Sequence, residues 1–240
     1  MSSSAYVALS AQMATERRLA TVANNIANAN TAGFRAEHIR FETLVSQAGG
    51  RSVAFTSAGE TYTSLRSGPV NYTGNPLDVA IQGEGWLAVK GPDGTAYTRD
   101  GRMHLDDQGQ LRSVNNYPVL DNSGGPITLN PAAGPVGIGS DGSITQGGNT
   151  VGSIGVFMIP ASARLTRGEN STVIPDGPTE PVRDFTHNKV AQGYIEGSNV
   201  DPIMEMTRLI MVQRAFEQAA TAIQQSESGT DSAIRTLGPT

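Results

Sequence analysis

The sequence predicts an α+β protein in which long helices at both ends of the chain pack as an antiparallel coiled coil, with a central antiparallel all-β domain. Two observations support this prediction. Apolar residues recur at helical spacing near each terminus. Most of the 28 glycines and 13 prolines lie between residues 49 and 202, a composition typical of turn-rich β structure. With 240 residues, the chain is long enough to bury a sizeable core.

Three segments follow from this pattern. Residues 1–35 form an N-terminal assembly helix with its turn, residues 36–198 form a connector and the β domain, and residues 199–240 form a C-terminal assembly helix. Because the chain leaves along one helix and returns along the other, the two helices are expected to pack against each other in antiparallel orientation.

The first helix is predicted over residues 4–29, about 39 Å at ~1.5 Å per residue. Its apolar residues recur at i, i+3 and i+7, which places them on one stripe. An isolated amphipathic helix is only marginally stable in water, so this stripe needs a partner. The predicted subunit interface of this helix consists of Leu9, Met13, Leu19, Val22 and Ile26.

An asparagine-rich turn follows the helix. Its polar side chains can bond neighbouring backbone groups and unwind the last helical turn. Gly33 can take a positive φ without steric cost, so we expect it to be the C-terminal cap. The residues of this predicted turn motif are Asn24, Asn25, Asn28, Thr31, Gly33 and Phe34.

The centre of the chain alternates between short apolar runs and turns. Residues 77–82 alternate with period two, residues 86–90 form another strand, and Pro92-Asp93-Gly94 has the chemistry of a tight turn between strands. Similar turns recur every eight to twelve residues up to about Pro160, which is typical of an antiparallel β domain. A last strand is expected over residues 190–195.

The second helix is predicted to begin at Asp201 and Pro202, since aspartate can cap a helix and proline suits its first position. The apolar pattern runs to about residue 226, or about 37 Å, which nearly matches the first helix. The predicted interface residues of this helix are Met206, Leu209, Ile210, Phe216 and Ile223.

Composition excludes several classes of function. The net charge of −5 argues against a nucleic-acid partner or an anionic membrane surface. No apolar run reaches the roughly 18 residues that span a bilayer, so we expect no membrane insertion. Residues 1–10 lack the pattern of a cleavable secretory signal. Cysteine is absent, which excludes disulfides and thiolate metal sites.

The sequence offers no catalytic, cofactor or metal site. The three histidines, His38, His104 and His187, have no neighbours of a metal or triad pattern. Residues 137–142 match the spaced glycines of a dinucleotide fingerprint, but the residues that follow predict a turn where that fingerprint needs a helix. We therefore expect a protein that is not an enzyme and binds no cofactor.

Both ends of the chain resemble the flagellar axial proteins, the rod and hook family. The turn motif from Asn24 to Phe34 matches the family's N-terminal signature, and residues 197–201 with Gln213-Arg214-Ala215-Phe216 resemble its C-terminal one. Residues 77–86 and 97–101 are similar to the β domain of the rod members. The proximal rod members are the most similar, with distal rod or hook-type members as the alternative.

This resemblance implies a structural subunit that transmits torque for motility. Such proteins pass through the flagellar type III export apparatus and polymerise by their terminal helices in the periplasmic rod of the basal body. The implied partners are copies of the same chain and sibling rod proteins, both proximal and distal. Two other classes stay open at this stage: a secreted β-rich hydrolase, and a glycan-binding module using Trp86 and Tyr97.

Overall fold

The computed structural model describes residues 3–46, 53–57 and 59–237. The described residues form an α+β protein with two helices and many antiparallel strands, which confirms the α+β part of the predicted fold class. The chain divides into two compact units. The first, here called the terminal unit, comprises Met1–Ala27, Glu37–Thr63 and Asp201–Thr240, and the second, the β unit, comprises Asn28–Ala36 and Ser64–Val200. Gly49 and Gly50, where the sequence predicts the end of the segment that follows Gly33, lie outside the described residues.

The terminal unit contains both helices and four short strands. Their bounds are α1 Ser3–Ala27, β1 Glu37–Arg40, β2 Thr43–Ser46, β3 Val53–Thr56, β4 Glu60–Thr63 and α2 Pro202–Leu237. Strand β1 pairs antiparallel with β4, and β2 pairs antiparallel with β3. Helix α1 contacts α2, β1 and β3, so the connector after the first helix packs on that helix.

The β unit contains fifteen strands among the described residues. They are β5 Val70–Tyr72, β6 Val79–Gln82, β7 Trp86–Gly91, β8 Gly94–Thr98, β9 Met103–Leu105, β10 Leu111–Ser113, β11 Val136–Ile138, β12 Ser143–Gln146, β13 Asn149–Ser153, β14 Val156–Met158, β15 Leu165–Arg167, β16 Thr172–Pro175, β17 Glu180–Pro181, β18 Lys189–Gln192 and β19 Tyr194–Glu196.

These strands form one six-stranded antiparallel sheet and several smaller ones. The large sheet has the order β15-β16-β8-β7-β14-β17, and a three-stranded sheet has the order β11-β12-β13. The remaining strands pair as β9 with β10, β6 with β18 and β5 with β19. Strands β18 and β19 lie near the end of the β unit's chain, whereas β6 and β5 lie well before them. Their pairing therefore joins early and late parts of the unit's chain.

Strand β7 is buried on both faces. Its alternate residues Leu87 and Val89 belong to a large apolar core with Leu111 and Ile144, whereas Trp86 and Ala88 belong to a second core on the other face of the strand. The neighbouring β6 is similar, because Val79, Ala80 and Ile81 are all buried. The sequence predicts both strands correctly, but its alternation in residues 77–82 does not mark a solvent-facing side.

Two predicted turns are confirmed. Strands β7 and β8 form a hairpin with Gly91 opposite Gly94, so Pro92 and Asp93 are its loop, and Gly94 has a φ of +125°. Gly137 and Ile138 belong to β11, and residues 139–142 form the turn to β12. The sequence predicts a turn in the residues after them, but they form strand β12 Ser143–Gln146, with a turn only at Gly147-Gly148 and no helix. The glycine spacing in that segment is therefore a hairpin and not a dinucleotide-binding loop.

Element boundaries differ from the prediction in two places. Helix α2 continues to Leu237, beyond the expected end near residue 226, because a helix can extend past its last apolar contact. The strand expected over residues 190–195 is interrupted at Gly193, which has a φ of +78° and donates its N–H to the Asp78 carbonyl at 2.8 Å. This break sends β18 and β19 to different partners.

Neither described helix combines the length and the apolar character that crossing a bilayer requires.

Truncating a side chain in the large apolar core should leave a cavity and lower the free energy of unfolding. Leu111 is fully buried, so Leu111→Ala should lower the free energy of unfolding by about 2–5 kcal/mol in urea titration. Val151→Ala, at an exposed apolar position, is the control and should cost much less. A small effect of Leu111→Ala would contradict the assignment of this side chain to the core.

Candidate assembly interface

Helix α1 buries one side and exposes apolar residues on the other. Val22 is 6% exposed, while Leu9 and Met13 are 47% and 53% exposed. Leu19 and Ile26 are half-buried. Nine residues separate Met13 from Val22, and at about 3.6 residues per turn they lie on opposite sides of the helix. The predicted stripe of α1 is therefore divided between two faces.

Helix α2 has the same two-faced character. Its buried and half-buried residues follow a spacing of three and four along one side: Glu205, Leu209, Val212, Phe216, Ala219 and Ile223. Outside this row, Met206 and Ile210 lie about 100° around the helix from Glu205 and Leu209, respectively, and they are 57% and 52% exposed. The sequence-based stripe mixed these sides and missed Val212 and Glu205. An apolar count alone cannot separate a contact face from an exposed apolar face.

The two helices enclose an open groove of about 420 Å³. Small side chains line much of it, among them Ala11 and Ala14 from α1 and Ala215 from α2. Val22, Phe41, Met211 and Val212 add apolar groups to its lining, and Arg18 and Arg208 add charged ones. Alanines let another helix approach closely, so this groove is suited to contact with a further apolar element.

Asn25 connects the end of α1 to two other elements of the terminal unit. Its side-chain carbonyl accepts from the Glu37 N–H at 2.9 Å, and its amide donates to the Glu37 carbonyl at 2.8 Å. The amide nitrogen also lies 3.4 Å from a carboxylate oxygen of Glu205. Asn25 is 1% exposed, so these bonds lie in the interior of the terminal unit. Asn24, one residue earlier, is exposed.

The start of α2 is capped as the sequence predicts. The Asp201 carboxylate accepts from the backbone N–H groups of Ile203 and Met204, at 3.0 and 3.1 Å. Pro202 is the first helical residue. Glu205 then pairs with Arg208 within the first turns of the helix.

The asparagine-rich turn is held by its own polar groups. The Thr31 N–H donates to the Asn28 carbonyl at 3.1 Å, and the Thr31 hydroxyl donates to the Asn28 side chain at 3.2 Å. Gly33 has the predicted positive φ, +67°. Its predicted role as a helix cap is wrong, since α1 ends six residues earlier at Ala27. Instead, the Gly33 N–H donates to the Glu196 carbonyl at 2.8 Å.

Phe34 fills a small apolar cluster in the β unit. It is 2% exposed and packs with Ala36, Val200 and the half-buried Ala29. The Arg167 guanidinium carbon lies 4.3 Å from the Phe34 ring centroid, a cation–π arrangement. The motif phenylalanine is therefore a core residue of the β unit.

Asn199 ties the two ends of the β unit's chain together. Its side-chain carbonyl accepts from the Ala36 N–H at 2.7 Å, and its amide donates to the Arg66 carbonyl at 2.6 Å. The Asn199 N–H donates to the Phe34 carbonyl at 3.2 Å. The C-terminal signature thus contributes an asparagine that satisfies the backbone of the N-terminal one.

Glu196 is the centre of a buried charge cluster. Its carboxylate pairs with Arg35 at 2.8 Å and with Arg99 at 3.1 Å, and all three side chains are at most 2% exposed. Both guanidinium carbons lie within 5.6 Å of the Trp86 ring centroid. Burial lowers the pKa of Arg35 to about 10 and also lowers the pKa of Arg99, while Glu196 opposes both shifts.

The sequence reading missed this cluster. Arg35 and Glu196 lie beside the two signatures, and Arg99 lies in residues 97–101, which resemble the β domain of the rod members. The one signal in the sequence for this cluster is a charged residue next to a signature glycine or aromatic residue. That signal does not show which oppositely charged residue it pairs with. Trp86 and Tyr97, considered as a glycan platform, are 3% and 6% exposed and belong to the second core of the β unit.

The other polar residues considered from sequence have ordinary roles. His104 lies 3.1 Å from the Asn116 side chain, and His38 stacks obliquely near Tyr62. The Asp106 carboxylate bonds Arg112 and the backbone of its own turn, which lowers the pKa of Asp106. Within residues 3–46, 53–57 and 59–237, no three acidic or histidine side chains converge as metal ligands would.

Three family models match separate parts of the chain. They are the flagella basal body rod protein model over residues 6–35, the FlgE/F/G D1 domain model of the flagellar hook protein over residues 80–146, and the C-terminal model of the flagellar basal body rod FlgEFG protein over residues 191–236. Together they define the class as a flagellar axial protein.

Relatives that match nearly the whole chain are rod proteins of the flagellar basal body. The chain is 51% identical to the flagellar basal-body rod protein FlgF of Mesorhizobium japonicum and 43% identical to that of Rhizobium meliloti, each over 99% of both chains. It is 32% identical to the rod protein FlgG of Bacillus subtilis over 93% of this chain and 95% of the relative.

The chain belongs to the family of flagellar basal-body rod proteins. It is a structural subunit of the rod in the flagellar basal body, and membership of the family implies assembly with sibling rod proteins. The resemblance stated from the signatures is confirmed.

The Asp100 backbone lies so close to Gly33 that a side chain at this position should be destabilising. A Cβ there would lie 2.1 Å from the Asp100 backbone nitrogen, in addition to the strain of a positive φ. Gly33→Ala should therefore lower the free energy of unfolding by clearly more than Gly124→Ala. Gly124 has a φ of +82° with no atom within 4 Å of a Cβ, so its cost is about 1–2 kcal/mol of backbone strain. Equal urea midpoints for the two variants would refute the contact.

Neutralising the carboxylate of the buried charge cluster should destabilise the β unit. Glu196→Gln would leave two buried guanidinium groups without a counterion, at a cost of about 3–5 kcal/mol in the free energy of unfolding. Glu180→Gln, at an exposed position of the same unit, should be nearly neutral in the same denaturation assay. Should both variants unfold at the wild-type midpoint, the cluster does not hold the unit together.

Proposed function

We propose that the chain assembles into the proximal section of the rod through its terminal helices and there transmits torque as part of the drive shaft. The observation that carries this proposal is the exposed apolar face of each helix. Leu9 and Met13 on α1, and Met206 and Ile210 on α2, are each about half exposed although they are large and apolar. Contiguous surface of this kind typically marks a protein interface.

The proposal includes an antiparallel coiled coil of α1 and α2. Two contacts support this orientation. Asn25, near the end of α1, reaches Glu205 in the first turn of α2. Ala14 and Val22 of α1 line one groove with Val212 of α2, further along that helix. The assignment of residues 1–35 and 199–240 as assembly segments flanking residues 36–198 belongs to the same proposal.

Assembly would proceed by covering the remaining faces with neighbours. The buried stripes of α1 and α2 stabilise the subunit, while the exposed stripes and the alanine-lined groove receive helices of adjacent subunits. A contact between two different surfaces repeats without closing and so generates a helical polymer. The ten predicted interface residues fall into both groups, with Val22 on the buried side and Met13 on the exposed side.

Further parts of the proposal rest on family membership. We infer passage through the flagellar export apparatus, a place in the periplasmic part of the basal body, contacts with copies of the same chain, and no catalytic activity. We favour the proximal position because FlgF is the proximal rod member to which the resemblance points. The chain is 51% and 43% identical to the FlgF proteins of Mesorhizobium japonicum and Rhizobium meliloti, against 32% to the FlgG protein of Bacillus subtilis. Images of basal bodies from cells lacking this protein, showing where the rod stops, would test the position.

An exposed-face substitution separates assembly from folding. Met13→Asp should leave the thermal transition of the monomer unchanged, because the side chain is 53% exposed, and should abolish recovery of the protein in purified basal bodies and swimming in soft agar. A carboxylate buried at a subunit contact without a partner is strongly unfavourable.

The matched control at the same position is Met13→Leu, which keeps the apolar surface and should assemble normally. Val22→Asp, on the buried face, should lower the thermal transition as well. If Met13→Asp subunits enter the rod like the wild type, the exposed face of α1 is not an assembly surface.

A further inference from the structure

A cleft of about 260 Å³ lies in the β unit, beside the first residue of strand β7. Apolar side chains form much of its lining, among them Leu65, Trp86, Met158, Ile159 and Ala161. Trp86 is buried, whereas Leu65 is 52% exposed. The cleft is smaller than the roughly 300–1,000 Å³ sites that hold drug-sized ligands, so its size suits one large side chain with the peptide group next to it.

Arg99 also lines this cleft, and one of its N–H groups has no acceptor. Its Nη1 donates to the Ile81 carbonyl at 3.0 Å and to Glu196 at 3.1 Å, and its Nη2 donates to the Gly83 carbonyl at 2.7 Å. The Nε–H is buried and has no hydrogen-bond partner among the described residues. Because an unpaired buried donor is unfavourable, this N–H is available to an acceptor that enters the cleft.

Two glutamates set the charge of the cleft. Glu84 and Glu180 line it, and both are exposed. Inside the unit, Arg35 and Arg99 share the single carboxylate of Glu196, which leaves one positive charge in excess. Burial lowers the pKa of Arg99, and the charges of Glu196 and Glu84 oppose this shift. The two outer carboxylates outnumber the excess charge, so the cleft repels an anion and attracts a cation.

These features restrict the ligand. A carboxylate or phosphate can accept from Arg99, but it would meet the charges of Glu84 and Glu180. A small cation would leave the Arg99 N–H unpaired and the apolar lining uncovered. A backbone carbonyl is a neutral acceptor, and an apolar side chain beside it would cover the lining. A lysine or arginine next in sequence would complement the two glutamates, so one polypeptide segment supplies all three groups.

We propose that the cleft binds a segment of a neighbouring rod subunit in which an apolar residue is followed by lysine or arginine. The apolar side chain packs against Trp86, and its backbone carbonyl accepts from the Arg99 Nε–H. The basic side chain pairs with Glu84 and Glu180. This inference rests on the proposed function, because assembly of the rod brings such a neighbour to the β unit.

Trp86 is the one tryptophan of the chain, so its fluorescence reports directly on the cleft. The purified full-length chain is titrated with N-acetyl-leucyl-lysinamide, and we expect a saturable change in emission. N-acetyl-glycyl-lysinamide should bind at least about tenfold more weakly, because it has no apolar side chain to bury. N-acetyl-leucyl-glutamic acid amide should bind about fivefold more weakly, because its carboxylate meets the two glutamates.

Variants of the lining connect the response to the cleft. Ala161→Phe fills the cleft from an exposed position and should abolish the response while the thermal transition is unaltered. Glu84→Gln combined with Glu180→Gln should weaken the leucyl-lysine peptide about fivefold and remove its advantage over the leucyl-glutamate peptide. Glu217→Gln, at an exposed position of helix α2, is the matched control and should change neither affinity.

Three results of the titration would overturn the inference. They are equal responses to all three peptides, a response that survives Ala161→Phe, and no response at all, which would mean that the cleft holds only water. Each would leave the helix-mediated assembly standing.

A test in cells separates this inference from the proposed function. Ala161→Phe should reduce recovery of the chain in purified basal bodies, whereas Ala132→Phe, at another exposed alanine of the β unit, should not. Normal recovery of the Ala161→Phe chain would show that the cleft is not a subunit contact. Absence of the unmodified chain from basal bodies would instead refute the proposed function.

Discussion

The pairing of Glu196 with Arg35 and Arg99 is the interaction on which the β unit depends. Arg35 follows the asparagine-rich turn, and Glu196 precedes the segment that leads to α2, so their contact fastens the two ends of the unit's chain. A buried carboxylate between two guanidinium groups tolerates little displacement, because any gap leaves an unpaired charge away from water. The backbone bonds from Gly33 to Glu196 and from Asn199 to Phe34 reinforce the same junction.

This junction explains the composition of the two signatures. Gly33 must lack a side chain because the backbone of Asp100 occupies the space beside it, and Phe34 and Val200 share one apolar cluster. Asn199 serves the backbone of residue 36 and residue 66 at once. Gly33 and Phe34 of the first signature and Asn199 and Val200 of the second are far apart in sequence but belong to a single tertiary contact within the β unit.

The sequence predicted the features that depend on local chemistry. Both helices, the Asp201 cap, the Pro92-Asp93 loop and the α+β class follow from periodicity and turn residues, and each is confirmed. Features that depend on contacts between residues distant in sequence could not be predicted from the sequence. The role of Gly33 was misassigned because a positive φ does not say which contact requires it, and Glu205 and Val212 were missed because the buried face of α2 is defined by its neighbours.

Exposed apolar surface has the same meaning in both units. In the terminal unit it includes Leu9 and Met13 on α1 and Met206 and Ile210 on α2, and in the β unit it includes Tyr72 and Val151 on end strands as well as Val114 outside a strand. Neither kind of surface contributes to the stability of an isolated subunit, and both cost free energy while they face water. In the proposed assembly, the free energy released when neighbours cover the exposed helix faces drives polymerisation after the interior of each unit has formed.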